Sequence, residues 1–93
     1  MILLCILLPT VLAYIDESYY ESNDSLENKW RTFKKEYNRT YYGEEDRYRM
    51  KLFEKTLRFI IHHNERYRKG EVSDKVGVNH FADWTEEEFN RYS

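Results

Sequence analysis

Four polar residues, Glu45, Arg49, Thr56 and Asn64, recur at the spacing of a single helix face. At about 100° per residue they project onto one side together with Leu52, Phe53 and Ile60, a stripe roughly 120° wide. The chemistry open to such a stripe is hydrogen bonding and ion pairing at a burying face, since polar groups taken out of water need partners. The stripe therefore reads as built to contact something both apolar and hydrogen-bonding. A plain core would not place polar side chains there.

Catalytic chemistry has little to work with. It requires a positioned nucleophile, a base, or a metal held by several ligands. The single cysteine, Cys5, lies in the leader described below, so the mature chain offers no thiol and no disulfide. His62 and His63 are adjacent and diverge by about 100° on a helix, so they cannot share a metal. His62 is expected to face water. His63 is expected to be a satisfied structural histidine, with a metal or pH-sensing role as its alternative. No glycine-rich phosphate loop is present. Enzymatic activity is not expected, nor is any cofactor or metal.

The stripe sits on a helix read from Glu44 to Gly70. Tyr48, Leu52, Phe53, Leu57, Phe59, Ile60 and Tyr67 fall on one broad arc of it. Arg47, Lys51, Glu54, Arg58, His62, Glu65 and Lys69 fall on the other. Gly70 suits the C′ position, and Arg66, Arg68 and Lys69 suit the dipole in the last turn. Upstream, Ser25 fits the N-cap of a helix running to about Tyr37. Its stripe of Leu26, Trp30, Phe33 and Tyr37 is narrow enough to bury against only one partner helix. The short connector, residues 38–43, favours two neighbouring helices that cross, with Tyr41 and Tyr42 folding back on the core.

After Gly70 the helical period breaks. Val72, Val76, Val78 and Phe81, with Gly77 among them, suggest at most one short strand. Such a strand has no second strand to pair with, and its open edge invites a partner. Thr85 and Glu88 form a capping box that starts a short last helix, with Phe89 and Tyr92 on its inner side.

The 93 residues make one small domain at most. A net charge of -2 makes neither nucleic acid nor an acidic membrane surface an obvious partner. Aromatic residues at 17% of the chain supply a compact core and argue against disorder. Residues 1–13, MILLCILLPTVLA, carry no charged side chain and fall short of the about 20 residues that span a bilayer. They read as a signal peptide cleaved after Ala13, although no Lys or Arg follows Met1. Pro9 disfavours the alternative, a short membrane or core helix. Secretion or the endolysosomal lumen follows as the expected location, with no membrane attachment after cleavage. Residues 14–24 are acidic and aperiodic, a mobile lead-in to a globule at 25–93. Asn23 and Asn38 head glycosylation sequons, and Asn23 is favoured because it lies in that polar lead-in.

The spacing of Glu45, Arg49, Leu52, Phe53, Thr56, Ile60 and Asn64 resembles the ERFNIN signature of cathepsin-L-like prosegments. Gly77, Asn79, Phe81 and Asp83 match the accompanying GNFD motif at all four positions. Trp30, Phe33, Tyr37 and Tyr41 look like the aromatic first helix of the same family. The similarity spans roughly Leu26 to Phe89. Thr56 stands where the signature has its first Asn, and Leu52 where it has Ile or Val. The missing amide should weaken the tie between helix and strand by a hydrogen bond or two, about 1 kcal/mol each.

The resemblance implies a mainly α fold: two crossing helices, a short extended strand and a small C-terminal helix. It implies docking on the prosegment-binding loop of a papain-family, cathepsin-L-like cysteine protease, with the strand adding an edge. The following tail would run backwards through the active-site cleft, so blockage would be steric and noncovalent. By position, Glu45 and Arg49 would hold the first crossing, and Asn64, Asn79 and Asp83 would orient the strand. Phe81 and neighbouring aromatics would anchor at the surface. Each motif also has a plainer reading. Glu45 and Arg49 serve equally as a surface pair, residues 77–83 as a loop, and the Trp30 stripe as core.

The first expectation is a stand-alone secreted inhibitor, monomeric when free, because no catalytic domain precedes Ser93. The runner-up is the prosegment of a protease zymogen whose remainder lies beyond this sequence. The tail stops short of where a cleft-crossing segment would finish, which keeps that alternative open. A helical interaction module unrelated to proteases is the third. Asp83 and the Glu45–Arg49 pair make loss of inhibition on acidification an expectation.

Overall fold

The computed structural model describes residues 16–92. The leader and its cleavage site lie outside the described residues. Ser25 caps the first helix, α1 (Leu26–Glu36), its Oγ accepting the Asn28 N–H at 3.1 Å. The second helix, α2 (Glu44–Arg68), runs 25 residues. It stops where Gly70 takes a φ of +79°, a left-handed conformation that costs glycine nothing. There the Gly70 N–H returns to Tyr67 O at 3.0 Å and the Glu71 N–H to Arg66 O at 2.9 Å, which satisfies carbonyls left over at the helix end. The third helix, α3 (Glu86–Tyr92), starts at the expected capping box. Glu88 N–H donates to Thr85 Oγ1 at 3.1 Å and Thr85 N–H to Glu88 Oε1 at 2.9 Å.

The core lies where α1 crosses α2. Phe33 and Phe53 are both fully buried, with ring centroids 4.9 Å apart, and Trp30 lies 5.3 Å from Phe53. Leu57, Ile60, Val78 and Ala82 extend the cluster. Each large side chain buried this way contributes about 1.5–3 kcal/mol. Trp30 also donates its indole N–H to Asp46 at 3.2 Å, which ties the start of α2 to α1. The mainly helical fold with two crossing helices and a small third one is as expected.

Several expectations are corrected. The buried face of α2 is Phe53, Leu57, Ile60 and Asn64, a seam narrower than the broad arc read from periodicity. Tyr48, Tyr67 and above all Phe59, 59% exposed, stand out of it. The cause is geometric: α1, the turn ahead of it and the segment after Gly70 cover one sector of a long helix, and among the described residues these flanking side chains are left outside it. Tyr41 folds back as expected, whereas Tyr42 is exposed.

No strand forms among the described residues; residues 74–79 are irregular. Several of the backbone groups that a strand would have left open are taken up from within. Asn64 Nδ2 donates to Val76 O at 2.8 Å, and Val76 N–H donates to Asn64 Oδ1 at 2.9 Å. Tyr37 Oη donates to Val78 O at 3.4 Å, and Arg39 donates to His80 O. A lone extended segment cannot make a ladder, so side chains take up its backbone groups instead.

The acidic segment ahead of α1 is packed rather than mobile. Glu17–Glu21 form a 3-10 turn capped by Asp16, which accepts the Ser18 N–H at 3.1 Å. Tyr20 is 3% exposed, meets Phe53 edge-on at 6.1 Å, and donates to Glu36 at 2.8 Å. Lys29, itself buried, donates Nζ to Ser22 O at 2.6 Å. One turn has no period to detect, and its acidic residues disguise the single aromatic anchor. Replacing Tyr20 with alanine should lower stability by about 2 kcal/mol, the value of one buried aromatic under a turn that can partly collapse. A urea midpoint unchanged by the substitution would show the turn to be idle.

Candidate functional site

Arg49 is the centre of a polar hub that joins α2, α3 and the turn between Asn79 and Asp83. Its guanidinium, 14% exposed, donates to both Glu88 carboxylate oxygens at 2.6 and 2.8 Å. It also donates to the Asp83 carbonyl at 3.1 Å and, through Nε, to Glu45 at 3.1 Å. A planar fork on a carboxylate is the strongest arrangement an arginine makes. Glu45 is more than half exposed, so the partner that fixes Arg49 is Glu88. Sequence reasoning recognised Glu88 only as a cap. The signal was nevertheless present: a capping-box carboxylate is held pointing back over its helix start, beside Asp83.

The Arg49 fork, then the Thr85 backbone N–H, pull the Glu88 carboxyl down to about 2 from its ordinary 4.5. Since the folded state holds this group below its unfolded value, its stabilisation is complete above about pH 4.5 and is lost as pH falls towards about 2. Discounted for a carboxylate 30% exposed, that is worth on the order of 1–2 kcal/mol. Denaturation free energies measured from pH 6 to pH 2 should therefore fall, and Glu88→Gln should flatten that slope. An equally steep slope in the variant would move the acid sensitivity elsewhere. Glu88, which sequence reasoning had not linked to acid sensitivity, is thus a carboxyl that contributes to it.

Asp83 is fully buried. It accepts from Arg39 Nε at 3.3 Å and from Tyr41 Oη at 2.5 Å, two residues of the connector between α1 and α2. Burial, then this bond to Asp83, pushes the Tyr41 hydroxyl above its ordinary value. Arg39 was not singled out in the sequence, because nothing local distinguishes it from other surface arginines. Asn79 Oδ1 accepts the Phe81 N–H at 2.9 Å, shaping the turn that presents Phe81. Thr56 keeps one tie where an amide was missing, its hydroxyl donating to Ala82 O at 2.9 Å. At Gly77 a Cβ would run into the Glu17 carboxylate. His63 Nε2 meets the Asp74 carbonyl at 3.0 Å. Trp30, Phe33, Phe53 and Ile60 are core residues, so they shape the scaffold without reaching its surface.

Above the hub stands an aromatic face. Phe81 is met edge-on by Trp84 at 4.7 Å and by Phe89 and Tyr92 at 5.1 Å each, while His80 lies 4.0 Å from it. Phe89 and Tyr92, expected on the inner side of α3, meet Phe81 but stay largely exposed. The turn beneath is fixed by Ala82 N–H to Asn79 O and Trp84 N–H to Phe81 O, both 3.0 Å. Trp84 joins the face without having been anticipated, since its place depends on that turn.

Residues 30–89 match the model of the cathepsin propeptide inhibitor domain. The chain belongs to this family. The propeptide domain is 38% identical over 79 residues to a cathepsin L-like proteinase of Fasciola hepatica, covering 85% of this chain and 23% of that protein. It is 37% identical over 65 residues to protein CTLA-2-beta of Mus musculus, covering 70% of this chain and 58% of the relative. Digestive procathepsin L2 proteinase of Tenebrio molitor larval midgut superposes with a TM-score of 0.66 at 42% identity, over 70% of this chain and 21% of that one. The chain thus spans about a fifth of the length of these proteinases. An inhibitory rather than a catalytic domain is what the family match describes.

Proposed function

We propose that this chain is a noncovalent inhibitor of cathepsin-L-like, papain-family cysteine proteases. It acts as a monomer in the secretory or endolysosomal lumen, once the leader is removed after Ala13. The aromatic face carries the reading. Phe81, Trp84, Phe89 and Tyr92 form an apolar patch on a turn held rigid by Asp83 and Arg49. A patch of this kind, with aromatic anchors central and charges at the rim, suits docking on the prosegment-binding loop of a protease. The end of the chain from Phe89 onwards would then approach the cleft and obstruct it sterically. With the only cysteine at position 5, the mature chain has no thiol to bond the enzyme covalently.

On the Val76 side of the extended segment, Asn64 already takes the backbone groups that an added strand would pair with. Purified mature chain added to a cathepsin-L-like protease near neutral pH should inhibit competitively. Full protease activity at micromolar chain would defeat the reading.

One observation favours a second reading, the prosegment of a zymogen: in relatives named as proteinases the matching region makes up only about a fifth of the length. There the domain would assist folding and keep a tethered enzyme latent. A transcript that continues past codon 93 into a papain-like domain would decide for it.

A further inference from the structure

The protease reading leaves two motifs unused, the sequons Asn23-Asp24-Ser25 and Asn38-Arg39-Thr40. Glycan transfer needs both the asparagine amide and the hydroxyl two residues on. At the first sequon that hydroxyl is engaged locally. Ser25 Oγ caps α1, and Asp24 accepts from Ser25 N–H at 2.8 Å, Asn28 Nδ2 at 2.9 Å and Tyr19 Oη at 2.8 Å. Bonds between near neighbours form within about a microsecond, early enough to compete with transfer on a growing chain.

The second sequon differs on each count. Asn38 and Thr40 are exposed, and neither side chain is drawn into a hydrogen bond among the described residues. Asn38 sits in the left-handed region at φ +57°, which asparagine tolerates, on the turn after α1. Arg39 between them turns inward to Asp83 and His80, so its two neighbours face out. Those inward bonds span more than forty residues and close late, leaving Arg39 free while the chain emerges. A cation beside the acceptor amide attracts an anionic diphosphate donor, whereas Asp24 beside Asn23 repels it.

We propose that Asn38 carries an N-linked glycan and that Asn23 does not, which rests on the lumenal location given above. The donor is a lipid-diphosphate-linked oligosaccharide. Asn38 Nδ2 bonds to its anomeric carbon, the carbon–oxygen bond to the diphosphate breaks, and the lipid diphosphate leaves with the electron pair. One amide proton passes to a base of the transferase. In the fold the glycan projects to water and displaces no bond.

The test is expression of the full chain from Met1 in a eukaryotic secretory host, with peptide N-glycosidase digestion of the medium. One glycan's mobility shift is expected, kept in Asn23→Gln and in Thr40→Ser and lost in Thr40→Ala. Digestion in heavy-oxygen water should tag Asn38 by mass, a readout on the parent chain that holds even if Thr40→Ala is poorly secreted. A secreted chain with no shift, with two, or with a shift lost in Asn23→Gln overturns the proposal. A chain kept in the cytosol with Met1 intact overturns the lumenal location and the glycan together.

Discussion

Replacing Asp83 with alanine is expected to remove about 3–4 kcal/mol of stability. The carboxylate is fully buried between Arg39 and Tyr41, and its loss takes away the carboxylate to which both the guanidinium and the hydroxyl donate. Removing one member of a buried ion pair costs about 3–5 kcal/mol, because the remaining charge has lost both water and partner. Arg39 keeps 22% exposure and bonds to Tyr37 O, which places the effect toward the lower part of that range. A domain of this size holds only about 5 kcal/mol in total, so most of its stability goes. Asp83→Asn, which preserves volume and one acceptor, should cost about 1–2 kcal/mol. Urea denaturation at pH 7, followed by helical circular dichroism, separates the two. An alanine variant within 1 kcal/mol of the parent would mean that the Arg39–Asp83–Tyr41 cluster is dispensable.

The second large effect is on binding. Phe81→Ala should raise the inhibition constant against a cathepsin-L-like protease by about 30- to 1000-fold, the loss of roughly 2–4 kcal/mol seen when a central aromatic anchor is truncated. Phe81 is the ring that Trp84, Phe89 and Tyr92 all meet, so its removal collapses the face and not merely one contact. The side chain lies outside the α1–α2 core, and helix content should stay near that of the parent. Parent-like inhibition by a folded Phe81→Ala chain would place the docking surface elsewhere. Because Asp83 holds the turn that carries this face, partial destabilisation there should weaken inhibition as well.

Much of the scaffold is visible in residue order alone. The Ser25 cap, the α1 stripe of Trp30 and Phe33, the Gly70 stop and the Thr85–Glu88 box are all local, set by neighbours within a turn or two. Asn64 was placed correctly on the burying side because helical periodicity alone decides that. Charge and the lack of a usable thiol were enough to turn attention from catalysis towards recognition.

What depended on three dimensions is every feature that joins distant segments. Glu88 rather than Glu45 fixes Arg49 because α3 folds back over α2, a separation of 39 residues that no local pattern encodes. Arg39 is drawn onto Asp83 from 44 residues away, and Trp84 joins an aromatic face only once that turn is set. The expected strand is absent because its backbone groups found side-chain partners, a choice made by whichever groups the packing brings near. Tyr20 is buried, although its neighbours are acidic, because the helix crossing leaves a space that one aromatic ring fills. Local physics writes caps and helix faces into the order of residues, while pairings over long separations exist only after the chain has closed on itself.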